Sequence, residues 1–542
     1  MPLTVIAILC LQTVQAPPAA PAPALTARDS AFHVLNRLAY GPRAGEADSL
    51  AKAGVMRWID QQLDPDHVPD PRLAEREKQF KILDYNRSDL AGRYRDAVRE
   101  RQRMQREGRD TPDSIVMRSP GPMRELRDLG GELQQLAVVR AAVSERQLRE
   151  VMVDFWTNHF NVFVGKGQDR FLLPSYIEET IRPHALGRFE DLLIATARSP
   201  AMLFYLDNAQ SVAPGSMPPQ RRPPPITFGP FGRPRFGGDP FGRRFGMNDA
   251  DRQRQRQRQP TGINENYARE LMELHTLGVD GGYTQQDVIN VARVFTGWSI
   301  ESPERGSGFV FRDWAHDRGN KIVLGQTFKD AGEDEGIRLL KFLANQRATM
   351  HHVSAKLCTR FVADDPPDGC IDAAVAAWQK TNGDIRAVLR AIFTSPDFWA
   401  PQAFQTKVKT PLEFVVSAVR AAGVDPDTTP RLAGLVARLG EPLYQQPAPT
   451  GYAETEEHWV NSGALLARMN AAMVIARECS SVQPLPDHAR LVEAINQQLL
   501  GGTMSAHTRD VILEQIVDIS DPMQARAMAV GLALGGPDFQ KQ

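Results

Sequence analysis

The stretch 264-NENYARELMELHTLGVDGGYTQQDVINVARVFTGW-298 decides how this chain is read. Taken as helix from Asn264, an N-cap whose side-chain oxygen accepts an orphan amide, it puts Glu265, Arg269 and Glu273 at four-residue steps. That is a ladder of opposite charges along one face. Tyr267, Leu271 and Leu274 take the core side, and Gly278 closes the helix. Val279 to Tyr283 form a turn, and Thr284 with Asp287 makes a capping box that opens a second helix running to Trp298. Helix physics accounts for most of the polar density. Glu270, His275 and Trp298 are the surplus that a functional site would explain.

The same period recurs outward from this hairpin. SERQLREVMVDFWTNHF opens with a capping box at Ser144 and Gln147, and Leu148, Val151, Met152, Phe155, Trp156 and His159 then follow along one face. FEDLLIATARSPAMLFYL, GDIRAVLRAIFTSPDFW, TPLEFVVSAVRAAG and HWVNSGALLARMNAAMVIA read alike. Three apolar helices end in a small residue, a proline and an apolar anchor, a stop signal whose anchor tucks back into the core. Strand signals are confined to GFVFRDWAHDRGNKIVLG, where 309–311 and 321–324 are expected to pair across a loop carrying His316 and Asp317. The expected fold is mainly α: a large multi-helix globular fold with at most a small β-hairpin near 309–324.

With 542 residues, 42% apolar, the chain can bury a large core, and its net charge of −1 gives no global attraction to nucleic acid or a membrane surface. MPLTVIAILCLQTVQA followed by PPAAPAPA reads as a signal peptide over 1–16 and a Pro/Ala linker over 17–27, which implies a periplasmic or secreted protein. A helical core domain is expected over 28–400, with a helical C-terminal part packed on it over 401–542. Residues 211–260 interrupt the core with ten Arg against three Asp among Pro, Gly and Phe, a composition that predicts disorder. That insert is either a tolerated surface insertion or a tether to anionic polymer. Cys358 and Cys370 either form a disulfide in an oxidising compartment or remain buried thiols, and no CxxC zinc pattern is present.

The catalytic candidates are Glu270, Glu273, His159, His316 and Asp317. Trp156, Asn158, Asn264, Asn266, Arg269, Tyr283 and Trp298 are the substrate-binding candidates. A Trp, Asn and His together suit a polar ligand such as a sugar, and His316 beside Asp317 suits a general-base pair. For each, the alternative is a satisfied core or loop residue. His159, His275 and His316 are the candidate ligands of a divalent metal. His275 lies two residues from Glu273, about 200° around a helix, so those two cannot share an ion on one helix. No HExxH, GxSxG, P-loop or GxGxxG sits in its required context, which weakens the usual zinc-protease, acyl-transfer and nucleotide readings.

FWTNHF at 155–160, RPHALGRFEDLLIATARSPAMLFYLDN at 182–208, the opening stretch, HDRGNKIVLG at 316–325, KLCTRFVADDPP at 356–367 and KTPLEFVVSAVRA at 409–421 closely resemble the bacterial domain-of-unknown-function 1800 family. The resemblance runs from about residue 30 to the C-terminus, and the Arg/Phe/Gly insert departs from it. It implies an exported, mostly helical protein, often encoded beside a second uncharacterised family that looks sulfatase- or phosphatase-like. The leading expectation is a protein acting on or binding an envelope or extracellular polymer such as a glycan, in a pocket between the 144–160 helix and the 264–298 hairpin. The alternatives are a non-catalytic scaffold for the sulfatase-like neighbour and a redox or hydrolytic metalloprotein. Nucleic acid is not among the expected partners.

Overall fold

Thr410 to Gly423 form the centre. The Thr410 hydroxyl and the Glu413 carboxylate close a capping box, Pro411 sits in the first turn, and Gly423 at φ 65° ends the helix Pro411–Ala422. Every residue of that helix is buried. A helix apolar all round has to be surrounded, and Pro122–Val143, Arg431–Arg438 and Ser462–Ala476 pack against it. Its charged members are partnered: Arg420 donates to the carbonyls of Gly41 and Ala142 and to Glu46, and Glu413 pairs with Arg360.

The computed structural model describes residues 25–106, 121–218, 227–228, 234–235 and 262–542. They are mainly helical, and one continuous cluster of buried side chains runs from Val34 to Phe539, so residues on both sides of position 400 contribute to it. The first described helix, Ala27–Arg37, opens with a capping box between Thr26 and Asp29. The expected leader and most of its linker, most of the 211–260 insert and residues 107–120 lie outside the described residues. Among the described residues no helix is long and apolar enough to cross a membrane.

The helix stops work as the sequence predicts. Pro200 and Pro537 each start a new helix after the stop, and Met202, Phe398 and Phe539 are the buried anchors. The strands differ from expectation. Phe309–Phe311 pairs antiparallel with Trp298–Ile300, and Lys321–Val323 pairs with Gln326–Phe328, so the two expected strands do not meet each other. The reason lies in the turns: Gly297 at φ 83° ends the preceding helical hairpin early enough for Trp298 to start a strand, and Leu324-Gly325, both at positive φ, make a tight hairpin turn.

Two caps also differ. The helix Gln147–His159 lacks a side-chain cap: the Ser144 hydroxyl accepts from the Arg146 amide and donates to Asp70, while Gln147 donates to the carbonyls of Ala141 and Ser144. Asn264 accepts from the Asn266 amide in a local turn, and the helix starts at Asn266. The predicted box at Thr284 and Asp287 is present.

A disulfide joins Cys358 in the helix Arg347–Phe361 to Cys370 in the helix Asp368–Thr381, and Cys479 is free and buried. Closing a loop with a sequence separation of 12 removes chain entropy from the unfolded state, worth about 3 kcal/mol. Cys358→Ser/Cys370→Ser is therefore expected to lose about that much in a urea titration. A reducing agent added to the wild type should reproduce the loss, and an unchanged midpoint in both would contradict it.

Candidate functional site

Three segments meet at a cleft of about 250 Å³. The helix Gln147–His159 brings Phe155, Asn158 and His159, the helix Arg347–Phe361 brings Lys356 and Thr359, and residues 450–455 form the third wall. Asn158 pins that wall. Its Nδ2 donates to the Tyr452 carbonyl at 2.8 Å and its Oδ1 accepts from the Tyr452 amide at 2.6 Å. Gly451 has to be glycine, because a Cβ there would stand 2.4 Å from both Asn158 oxygens, at a φ of 73°. The Tyr452 hydroxyl donates to the Pro442 carbonyl.

His159 lies at the cleft floor. Its Nε2 is 3.2 Å from the His275 carbonyl, an acceptor only, so Nε2 carries the proton and the buried Nδ1 keeps a lone pair without a partner. His275 and His352 stand behind it, with ring centroids 6.1 and 6.4 Å away. Burial, then the Lys356 charge, holds all three imidazoles below the ordinary histidine range: His159 well below it, and His275 down to about 3. They are uncharged at neutral pH. Burial also lowers the Lys356 ammonium, which has no hydrogen-bond or ion-pair partner among the described residues.

Behind the cleft the interior is acidic. Glu454 lines both the cleft and a small inner cavity, where it meets Asp154, Glu441 and Arg360. Arg360 pairs with Glu413 and lies 3.7 Å from Glu454. Asp154 is enclosed by protein yet keeps accessible surface, because it borders this cavity and the next one inward. Burial pushes its carboxyl up to about 7 against the opposing pull of Arg360, and pushes Glu441 well above the carboxylate range.

Of the candidates named from sequence, Asn158 and His159 line this cleft and His275 backs it. The pocket is therefore formed with the 347–361 helix and the 450–455 wall and not, as expected, with the 264–298 hairpin. Trp156 and Trp298 cannot serve as stacking platforms, since both are fully buried, Trp156 with its indole N–H on the Ala185 carbonyl. Asn264 and Asn266 donate to the carbonyls of Asp207 and Leu206. Arg269 sits in the surface ladder, 3.5 Å from Glu265 and 3.1 Å from Gln285. The ladder ends there, because residues 271–275 wind as a π-helix, with the Thr276 hydroxyl donating to the Leu271 carbonyl. Glu270 and Glu273 do not line the cleft. Burial and then Glu273 raise the Glu270 carboxyl, and Tyr283 is half-exposed nearby.

His316 and Asp317 do not form a pair. Asp317 accepts a two-pronged bond from Arg293 at 2.9 and 3.2 Å. His316 is buried with Nδ1 on the Thr296 carbonyl at 2.9 Å, which turns Nε2 to Glu335 at 3.1 Å and Asp330 at 3.6 Å. Those three atoms lie within 4.8 Å of one another, close enough for one ion. The protein supplies cations there itself: the Lys321 ammonium is 2.9 Å from Glu335 and Arg318 is 3.5 Å from Asp330. Lys321, Glu335 and His316 form a buried hydrogen-bonded cluster holding the 296–335 region together.

Lys356, Glu454, Tyr452, Asp154 and His352 were not predicted from sequence. A signal for them exists. His352, Lys356 and Arg360 recur at four-residue steps on one helix, and Glu150, Asp154 and Asn158 do so on the other. Glu150 with Asp154 and Lys356 with Arg360 are like charges, which at that spacing destabilise an isolated helix, so each stripe needs partners from elsewhere.

The chain matches the family described as a protein of unknown function (DUF1800) over residues 33–541, and it belongs to that family. No curated protein and no solved structure matches it.

Proposed function

We propose that this DUF1800 protein is an exported enzyme that performs acid–base chemistry on an envelope or extracellular glycan in the cleft between Asn158, Lys356 and Tyr452. Export is supported by the apolar N-terminal segment followed by a Pro/Ala spacer and by the Cys358–Cys370 bridge, which suits an oxidising compartment. The observation that carries the reading is the uncharged His159, its Nδ1 buried and unpaired, in one cleft with an unpartnered lysine and, behind it, an acid whose proton is held up to about 7. His159 Nδ1 accepts a substrate proton, Lys356 holds the developing negative charge, and Asp154 stores the proton returned to the product, reached past Glu454. Groups whose surroundings push their pKa values apart in this way divide acid and base roles. Asn158, Thr450 and Thr455 supply the neutral hydrogen-bonding wall a sugar requires.

Incubation of the full-length mature protein with a panel of envelope and extracellular polysaccharides, read by chromatography of the products, tests this. Turnover is expected on at least one polymer. His159→Gln should lower kcat/KM by about 10²–10⁴, the range general acid–base groups supply, with the melting temperature within a few degrees of wild type. Turnover surviving in a folded His159→Gln variant would overturn the assignment.

A further inference from the structure

The formal charges around the cleft balance, Lys356 and Arg360 against Glu454 and Glu413, but both carboxylates lie against Arg360 and neither forms an ion pair with Lys356. Lys356 faces Glu454 from the 450–455 wall, His159 from the 147–159 helix, His275 from the π-wound turn, and His352 and Arg360 from its own helix. The three imidazoles are uncharged. Glu454 is engaged by Arg360, its Oε2 turned into the protein interior with no hydrogen bond. Arg360 is in turn engaged by Glu413. Lys356 is left without an ion pair in a half-closed space, walled by Asn158, Thr359, Thr450, Tyr452 and Thr455, with Glu454 as the acidic residue of the lining. A desolvated, unpaired ammonium is unfavourable until an anion reaches it.

We infer that the cleft binds an anionic sugar unit, its carboxylate or sulfate seated on Lys356 and its hydroxyls on the Asn158 and threonine wall. The inference deepens the glycan reading above by naming the charge the substrate carries. An ammonium without an ion pair beside the Asn158 and threonine donors and acceptors discriminates against a neutral sugar, which leaves it unpaired and desolvated. Binding of the anion restores the stability of the charged lysine, so affinity is coupled to its protonation. Below the lowered lysine pKa binding is at full strength, and it weakens as pH rises through that value.

Isothermal titration of the full-length protein tests this, with three oligosaccharides of equal length: a uronate, a sulfated sugar and a neutral sugar. At least one anionic ligand is expected to bind tenfold or more tightly than the neutral one, and which one binds identifies the anion. Lys356→Met should lose that preference, Lys356→Arg should keep most of it, and wild-type binding should weaken toward alkaline pH. Equal affinity for neutral and anionic ligands, no binding of either anionic ligand, or full affinity in Lys356→Met would overturn the inference. The two readings fail separately. Lys356-dependent binding without turnover of any polymer would sink the acid–base assignment alone. Turnover of neutral glycans with an unchanged KM in Lys356→Met would sink the anionic ligand alone.

Discussion

Glu335→Ala is expected to destabilise the protein by about 3–5 kcal/mol, the cost of leaving a buried charge without its partner. Glu335 is the acceptor shared by His316 and Lys321, at 3.1 and 2.9 Å, and all three side chains are inaccessible to solvent. Its removal strands the Lys321 ammonium with only the Asp317 backbone carbonyl, at 2.5 Å, and that residue's carboxylate, 3.9 Å away and already held by Arg293. The double variant Glu335→Met/Lys321→Met removes both charges and fills the volume, so it should recover much of the loss. Guanidinium titrations of the four proteins in this cycle read the coupling directly. A loss under about 1 kcal/mol in Glu335→Ala would mean that the cluster contributes little to holding the 296–335 region.

That cluster shows why function was harder to read from this sequence than fold. Helix periodicity and the box at Thr284 are local signals, set by neighbours three and four residues apart, so the mainly α fold and the stop at Pro537 were legible. The pairing of Phe309–Phe311 with Trp298–Ile300 depends on Gly297 ending the hairpin early, a detail of one φ angle. Site chemistry is less local still. His316 and Asp317 are adjacent in sequence yet serve different partners, because consecutive residues in an extended segment point to opposite sides. Trp156 and Trp298 have the residue type of a sugar platform, but an indole with no accessible surface stabilises the core. The cleft joins positions 158, 356 and 452, a closeness no spacing encodes. What the sequence does hold is two stripes at four-residue spacing, Glu150-Asp154-Asn158 and His352-Lys356-Arg360, each with one like-charge pair, Glu150 with Asp154 and Lys356 with Arg360. Their partners come from other elements: Glu150 pairs with Arg182, and Arg360 with Glu413. The acidic stripe still leaves Asp154 buried in excess.

Asp154→Asn is expected to make the protein more stable and less active. An aspartate in the unfolded chain releases its proton near ~3.9, whereas the folded protein holds that of Asp154 up to about 7. Between those values the folded state binds more protons than the unfolded one, so stability falls as pH rises, and the penalty is complete above about 7. At ~1.4 kcal/mol per pKa unit the full penalty is about 4 kcal/mol. The neutral amide removes it: the variant should match wild type at pH ~4 and exceed it by about 2–4 kcal/mol at pH ~8. Urea midpoints at the two pH values measure the difference. A variant less stable than wild type by the same amount at both would show that Asp154 is an ordinary packed residue whose carboxyl does not titrate in this window. Strain of this kind persists where a group is needed in its unfavourable state. The same substitution removes the proton store behind Glu454, and a loss of turnover alongside the gain in stability would tie the buried acid to the chemistry of the cleft.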